Sequence, residues 1–403
     1  MRNEKVSFRV WMVLILGSLS AFGPLTIDMY LPSLPMMANE LHTSASLTQL
    51  SLTACLLGLS IGQLIAGPQS DVRGRRGPLI LGLIVYTASS LLCALSPSVG
   101  MLIVLRFIQG FAGAAGLVVS RAIVRDLYSG SEMMRFSALL MLVNGVAPIL
   151  APIIGAQILK FTSWRGVFFV LVALGAIMFF AVLFGLKETL PPEERSSAGV
   201  RNTLSTFKVL LVDRVFMGYA LPQGLVAAAM FAYISGSPFV IQNIYGGSPE
   251  LFSLIFATNA VGIILAGQIT GRLASRVDGL KLYVAGLLIS LLSGLALLAS
   301  IIFDAGLMGI LPSLFFVVSS IGIVGTAGSA LAMENYGHSA GSAAALLGLF
   351  GFIFGATLAP LVGLGGGNTA LPMGIVIAAV ELCAFFSFII LRKPAQVVEL
   401  NSK

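Results

Sequence analysis

Long apolar runs alternate with short polar segments along the whole chain. Each run reaches the ~20 residues that a helix needs to cross the ~30 Å hydrocarbon core of a bilayer. The pattern therefore predicts a chain that crosses a membrane twelve times. The predicted spans, numbered 1 to 12, lie at about 9–31, 46–67, 77–96, 99–121, 134–159, 165–187, 213–241, 250–272, 281–303, 306–331, 341–365 and 369–391.

The 23 lysines and arginines are distributed very unequally between the two sides of these spans. With the N-terminus in the cytoplasm, 20 of them lie in cytoplasmic segments, and only Lys160 and Arg165 lie outside. The remaining one, Arg106, lies within span 4. Cytoplasmic loops carry the excess of basic residues in membrane proteins. We therefore expect both termini in the cytoplasm, and the absence of an Asn-x-Ser/Thr sequon favours a bacterial cell membrane.

The longest hydrophilic stretch separates spans 6 and 7 and is rich in proline, glutamate and serine. It divides the chain into a six-helix bundle over residues 1–187, a cytoplasmic linker over 188–212 and a second bundle over 213–403. Two comparable halves are typical of transporters built from repeats. The expected fold is an all-α integral membrane protein with two pseudo-symmetric six-helix bundles.

The composition excludes a soluble fold, because only 10% of the residues are charged and 57% are hydrophobic, against about 25% charged in soluble domains. The net charge of +7 lies in the loops, so we expect no nucleic-acid partner. The three cysteines and two histidines are scattered and form no cluster at metal or catalytic spacing. We therefore expect no metal and no cofactor, and a membrane-embedded enzyme is the weaker alternative.

Small residues recur at every fourth position on spans 2, 5, 8 and 11, which the predicted repeat relates to one another. Such a face lets two membrane helices approach closely. Generic packing would produce the same pattern, but the symmetry favours a contact between the two halves through these four spans. The residues are Ala54, Gly58, Gly62, Ala66, Ala147, Ala151, Gly155, Gly262, Ala266, Thr270, Gly351, Gly355, Ala359 and Gly363.

Three ionisable residues lie at membrane depth, where a charge is costly and marks a functional site by default. Asp28 and Arg106 are both expected in the outer part of the membrane, where they could meet as a proton-coupling pair or as a structural ion pair. Glu381, near the middle of span 12, is either a second proton site or a neutral group bonded within its own half. Neutral polar residues are candidates for lining a cavity, namely Asn144, Gln223, Tyr233, Ser235 and Asn259.

Several motifs resemble the major facilitator superfamily. The loop after span 2 reads Gly67-x-x-x-Asp71-x-x-Gly74-Arg75-Arg76 and is similar to the signature loop of that family. The run from Leu105 to Gly110 resembles its second motif, and the run from Ala147 to Ala156 resembles its antiporter motif. The segments 28–35 and 236–240 are similar to the Bcr/CflA subgroup of drug:proton antiporters.

The resemblance implies proton-driven export of small, amphipathic compounds by alternating access, with one chain acting as a monomer in the lipid bilayer. It assigns proton coupling to Asp28 and Arg106. It also implies that the signature loop locks the cytoplasmic side, with Asp71 facing the start of span 11 near residues 339–342 and Arg75 paired with Asp126. Within the antiporter motif, it gives particular weight to three residues, Pro148, Pro152 and Gly155.

The sequence departs from the family pattern at Ala147 and Ala156, where glycine is usual, and at Val72, where a basic residue is common. These departures bear on how span 5 prevents leaks and leave the expected fold unchanged. A proton symporter or facilitator of a small nutrient remains the alternative within transport. The prolines of span 5 and the subgroup motifs argue against it.

Overall fold

The structure is a computed structural model that describes residues 2–195, 200–334, 336 and 340–391. These residues form α-helices, with short 3-10 and π-helical turns and no strands. The α-helices are α1 Arg2–Asp28, α2 Leu34–Glu40, α3 Ala45–Arg73, α4 Arg76–Ala94, α5 Val99–Leu127, α6 Gly130–Leu159, α7 Trp164–Gly185, α8 Val200–Val212, α9 Arg214–Phe239, α10 Pro249–Leu273, α11 Gly279–Ile302, α12 Gly306–Met333, α13 Ala340–Leu358 and α14 Leu371–Leu391.

Twelve helical spans among the described residues are long and apolar enough to cross a membrane, which confirms the expected number. All the α-helices except α2 and α8 form the main part of one span each, in the order predicted. The all-α membrane fold is therefore as expected. Two spans end in other helical turns: α9 runs on through a π-helical turn at Val240–Ile244, and α13 runs on through a 3-10 helix at Ala359–Gly365, which reaches the predicted end of span 11.

The first span extends well beyond its predicted end near residue 31, because it runs from Trp11 to Glu40. Its helix breaks after Asp28 and resumes as a 3-10 helix and then as α2. Pro32 and Pro35 begin these two short helices, at positions where a missing N–H costs no hydrogen bond. The prolines therefore redirect the span without ending it. As a consequence, Asp28 lies inside the span and not near its end, which is at Glu40.

Each half packs mainly within itself. In the first half, α5 lies against α1, α3 and α4, and in the second half α9 lies against α12, α13 and α14. The halves meet where α3 contacts α13 and where α6 contacts α10. These helices are spans 2, 11, 5 and 8, so the expected choice of helices for the contact between halves is confirmed.

Most of the glycines on those helices pack against helices of their own half, whereas they were expected to serve the contact between the halves. A side chain at Gly58 or Gly62 would collide with the backbone of α5, and one at Gly262 would collide with Ser319 of α12. Gly355 lies likewise against Phe231 of α9. These glycines therefore allow close helix packing inside each half. Gly363, which lies against Ser46 and Gln49 of α3, is a glycine that does serve the contact between halves.

Polar contacts join the halves at the end of the bundle that carries Lys160 and Glu250, called here the opposite end. Lys160 and Glu250 form an ion pair at 3.4 Å across the two halves. Hydrogen bonds between the halves run from Gln49 Nε2 to Ser235 O at 3.0 Å, Ser46 Oγ to Pro360 O at 3.2 Å, Gln242 Nε2 to Pro32 O at 3.1 Å, and Ser253 Oγ to Pro152 O at 2.8 Å. These contacts close the opposite end, whereas the end that carries Asp71, Arg75 and Arg125 is called the basic end.

The predicted linker, 188–212, contains a 3-10 helix at Pro192–Glu194 and the helix α8. Phe207 and Leu210 of α8 are buried and pack with Leu346 and Leu347 of α13. Val212, at the end of α8, is 85% exposed. The second part of the linker therefore lies against the second half as an amphipathic helix.

Candidate functional site

A cavity of about 770 Å³ lies between the two halves. Its lining comes from α1, α3, α5 and α6 in the first half and from α9, α10, α12 and α13 in the second. It extends from Asp28 and Tyr233 in the interior to Asp71 and Arg125 at the basic end, where the Arg125 side chain is 67% exposed. The cavity therefore reaches the basic end, while the opposite end is closed by the contacts described above.

Asp28 lies on the wall of this cavity and is 5% exposed. No ion pair joins it to Arg106 or to any other cation in the part of the chain that the structure describes. An isolated buried charge is expensive, whereas a neutral carboxyl group is tolerated. A charge on Asp28 would therefore be costly in this position, whereas a neutral carboxyl group would not.

Arg106 is fully buried in α5 beside the first span. Its Nη2 donates to the carbonyl oxygen of Thr26 at 2.9 Å, and its Nη1 donates to Gln109 Oε1 at 2.6 Å. The guanidinium lies 4.2 Å from the ring centre of Tyr30, close enough for a cation–π contact. Arg106 therefore contacts the first span on both sides of Asp28, by a hydrogen bond to Thr26 and a cation–π contact with Tyr30. The expected direct contact between Asp28 and Arg106 is absent, since the guanidinium has these other partners.

The signature loop folds around Arg75, which is 2% exposed. Arg75 forms an ion pair with Asp71, and its Nε donates to Asp126 Oδ2 at 2.7 Å. The expected pairing of Arg75 with Asp126 is thus present. Gly74 has a φ of +90°, a conformation that favours glycine. Of residues 339–342, which were expected to face Asp71, residue 339 lies outside the described part of the chain, and α13 begins at Ala340.

The remaining motif residues sit close to this loop or along α6. Arg76 Nη2 donates to Leu183 O at 2.7 Å, and Gly67 lines the cavity. On α6, Pro148 lines the cavity, and Pro152 accepts the bond from Ser253 of the other half. A side chain at Gly155 would collide with the carbonyl of Met29, so glycine lets α6 approach the first span beside Asp28.

A family model described as Major Facilitator Superfamily matches residues 15–360 of the chain. The chain belongs to the Major Facilitator Superfamily. It is therefore a multi-pass membrane transporter and not an enzyme, as expected.

Similar proteins indicate which subgroup of the superfamily the chain resembles. The MFS-type transporter YdgK of Bacillus subtilis (strain 168) is 44% identical over 391 residues, covering 96% of this chain and 97% of YdgK. The bicyclomycin resistance protein homolog of Haemophilus influenzae is 32% identical, covering 96% of this chain and 97% of the homolog. The chloramphenicol resistance protein of Pseudomonas aeruginosa is 29% identical, covering 90% and 86% respectively. These relatives bear out the resemblance to the Bcr/CflA subgroup.

Solved structures share the fold at low sequence identity. The nucleoside transporter NupG is 15% identical, with a TM-score of 0.77 over 95% of this chain and 100% of NupG. A bacterial homolog of the human lysosomal transporter Spinster, in an inward-facing and unoccupied conformation, is 15% identical, with a TM-score of 0.74 over 96% of this chain and 99% of that homolog. Both likenesses support the two-bundle architecture of this superfamily member.

The polar residues expected to line a cavity divide into two groups. Asn144, Tyr233 and Asn259 do line it, and Asn259 Nδ2 donates to Tyr233 Oη at 2.9 Å. Gln223 and Ser235 lie elsewhere. Gln223 donates to Ser329 Oγ at 3.0 Å, and Ser235 donates to Ala359 O at 3.0 Å within its own half.

Sequence reasoning missed the apolar wall of the cavity. Phenylalanines on three helices of the second half contribute to it, and Arg121 adds a cation in the first half. The sequence feature that could have revealed this wall is the helical spacing of the residues that line it, because residues three and four apart share one face of a helix. The α10 positions are Phe256, Asn259, Ala260 and Ile263, and the other aromatic residues are Phe231 of α9 and Phe352 of α13.

Glu188, in the predicted linker, is a second residue that sequence reasoning missed. Its carboxylate accepts the backbone N–H groups of Arg75 at 2.8 Å, Arg76 at 3.2 Å and Leu190 at 3.1 Å. Partial burial opposes ionisation, but these N–H groups together lower the pKa of Glu188 below its usual value. Glu188 therefore ties the start of the linker to the signature loop of the first half.

Replacing Glu188 with glutamine should lower the thermal stability of the purified protein at neutral pH. A group whose pKa is lowered in the folded state stabilises that state above its unfolded pKa, and the contribution is lost as the pH falls through the folded value. Melting curves at pH 7 and at a pH below the lowered pKa of Glu188, well under the usual value of about 4.3, should therefore show a gap between wild type and Glu188→Gln only at pH 7. An equal gap at both values would contradict a role for the charge.

Glu381 lies outside the cavity, in the core of the second half, and is 1% exposed. It lies beside Ser290 and Gly294 of α11. Ser290 in turn accepts a hydrogen bond from Ser320 Oγ of α12 at 2.9 Å. Neither carboxyl oxygen of Glu381 has a hydrogen-bond partner among the described residues, so its position outside the cavity does not by itself decide between the two interpretations left open by the sequence.

We expect Glu381→Gln to transport close to the wild-type rate and to keep its dependence on the proton gradient. The amide has the size of the carboxyl group and can bond to Ser290, and no transported compound in the cavity touches this position. Efflux assays with and without a pH gradient test this. Loss of gradient dependence in this variant would instead make Glu381 a second proton site.

Proposed function

We propose that this transporter exports small amphipathic compounds in exchange for protons. The observation that carries the proposal is Asp28, a buried acid without a cationic partner on the wall of a largely apolar cavity shared by both halves. An apolar wall with a few convergent polar groups suits compounds of mixed character. An ionisable group at membrane depth in such a place marks an ion pathway.

The direction of transport follows from the orientation. Under the positive-inside rule the basic end faces the cytoplasm of a bacterial cell, so in this proposal the cavity opens toward the cytoplasm. A compound enters from the cytoplasm while Asp28 gives up its proton there. The halves then rock until the opposite end opens, the compound leaves, and Asp28 takes up a proton from outside.

The motifs supply the moving parts in this scheme. Opening of the opposite end breaks the Lys160–Glu250 ion pair and the hydrogen bonds around it. The loop centred on Arg75 and Asp126 is the lock that holds the basic end when it closes. Pro148, Pro152 and Gly155 shape α6 where it meets both the first span and α10. Since one chain supplies the entire cavity, we expect a monomer to be sufficient.

Resistance profiling in a bacterial host that lacks its own efflux pumps tests the direction and the class of compound. Chloramphenicol and bicyclomycin are suitable first probes, because relatives carry their names. We expect the chain to raise the inhibitory concentration of at least one amphipathic antibiotic and a protonophore to abolish the effect. Increased uptake of the same compounds would favour a symporter.

A further inference from the structure

Outside the central cavity, a groove of about 430 Å³ lies on the surface of the first half, between α3, α4 and α5. Its floor is formed by small residues, and larger apolar side chains such as Leu81 and Phe111 flank it. Leu81 is 61% exposed. On membrane-spanning helices, an exposed apolar groove faces lipid tails rather than water. The floor residues are Gly62, Ala66, Gly82, Ala112 and Ala115.

The groove has the length of one bilayer leaflet. From Gly62 to Arg73 the helix α3 rises about 16 Å, and one leaflet contributes about half of the ~30 Å hydrocarbon core. Arg73 lies at the basic end of the groove, and Gln69 lies one turn before it on the same face. An acyl chain along the floor would therefore place its headgroup at Arg73.

Arg73 is free to bind such a headgroup. Its side chain is exposed, and it has no ion pair with any acid in the described residues. The neighbouring Arg75 and Arg76 are by contrast engaged with Asp126, Glu188 and Leu183. Arg73 thus provides an unneutralised cation at the mouth of an apolar groove.

The second half provides an internal comparison. A groove of about 360 Å³ lies between α10, α11 and α12, the helices that the repeat relates to α3, α4 and α5. Its floor also contains small residues, including Ala327 and Ala330, but Glu334 lies at its basic end. The two grooves therefore both have small residues on the floor, but their charged lining residues, Arg73 and Glu334, have opposite sign. Anionic headgroups are attracted by the first and repelled by the second.

We propose that the groove between α3, α4 and α5 is a binding site for an anionic phospholipid, with one acyl chain on the small-residue floor and the phosphate at Arg73. The proposal concerns the lipid and does not depend on what the central cavity carries. Only the choice of leaflet, the cytoplasmic one, depends on the proposed orientation.

Native mass spectrometry of the full-length purified protein with added phosphatidylglycerol or phosphatidylcholine tests the site. We expect wild type to retain one phosphatidylglycerol at least about fivefold better than phosphatidylcholine, the effect of one basic charge at an anionic lipid surface. Arg73→Gln should remove this preference. Gly77→Phe should remove retention as well, because a side chain at Gly77 meets no protein atom within 4 Å and would fill the mouth of the groove.

Two matched variants serve as controls, and melting curves verify that all four fold. Arg272→Gln removes an exposed charge at the basic end of α10, and Gly271→Phe adds a ring there without a collision. Both lie outside the grooves and should retain phosphatidylglycerol as wild type does. Retention unchanged in Arg73→Gln or in Gly77→Phe would overturn the proposal. Displacement of the lipid by glycerol phosphate would also overturn it, since a headgroup site alone would then explain the binding.

Discussion

Asp28→Asn should reduce proton-driven efflux to the level of cells without the transporter while the protein still inserts and folds. Asparagine has nearly the same shape as aspartate and can keep the cavity wall intact, but it cannot bind and release a proton. Because Asp28 lies on the cavity wall, the proposed function couples the proton and the transported compound at this position. Initial rates of efflux at several pH gradients, normalised to the amount of protein in the membrane, measure the effect.

Glu381→Gln is the matched control for this substitution, because it also converts a buried acid to its amide within the membrane but lies outside the cavity. The two variants together separate a coupling role from a general cost of losing an acid. Normal gradient-driven efflux by Asp28→Asn would remove Asp28 from the mechanism.

Arg106→Met should both destabilise the protein and abolish transport. The substitution leaves Thr26 O and Gln109 Oε1 without their donor and removes the cation from the Tyr30 ring. Each of the two buried acceptors left unsatisfied costs about 1–3 kcal/mol, so we expect a loss of roughly 2–6 kcal/mol. The melting temperature and the efflux rate should both fall, because the first span loses its contacts with Arg106 on both sides of Asp28.

Arg106→Lys distinguishes the shape of the guanidinium from its charge. Lysine keeps the charge but cannot bond to two diverging acceptors while it stacks on a ring, so we expect intermediate stability and little transport. Arg165→Met is the matched control. Arg165 likewise bonds to backbone carbonyls and stacks on Trp164, but it lies at the opposite end, away from the cavity. Full transport by Arg106→Met would contradict the positioning role.

The sequence predicted the twelve spans and their pairing between halves because both depend on patterns that are local in the chain. It failed at the end of the first span, which was predicted near residue 31, just before Pro32 and Pro35. The structure uses them to start new helical turns beyond Asp28. A proline removes one backbone hydrogen-bond donor from a helix. Whether the helix needs that donor depends on the surrounding helices, which a single sequence does not reveal.

The candidate site was only partly predictable for a similar reason. Asp28 and Arg106 stand out because charges are rare at membrane depth. Their separation could not be foreseen, because it depends on the bonds that Arg106 makes to Thr26 and Gln109. Glu188 could not be singled out from the sequence, since glutamate is common in a hydrophilic linker. Its role is visible only in the folded chain, where it accepts a hydrogen bond from the backbone N–H of Arg75.

The central claim is exchange of a proton for an exported compound at Asp28, and proton movement in everted membrane vesicles tests it most directly. The vesicles are acidified inside by respiration and followed with a pH-sensitive dye. The compound to which the transporter confers the greatest resistance is then added. We predict immediate alkalinisation of the interior with wild type and Glu381→Gln, and none with Asp28→Asn. Transport of the compound without any change of internal pH in the wild-type vesicles would contradict proton exchange.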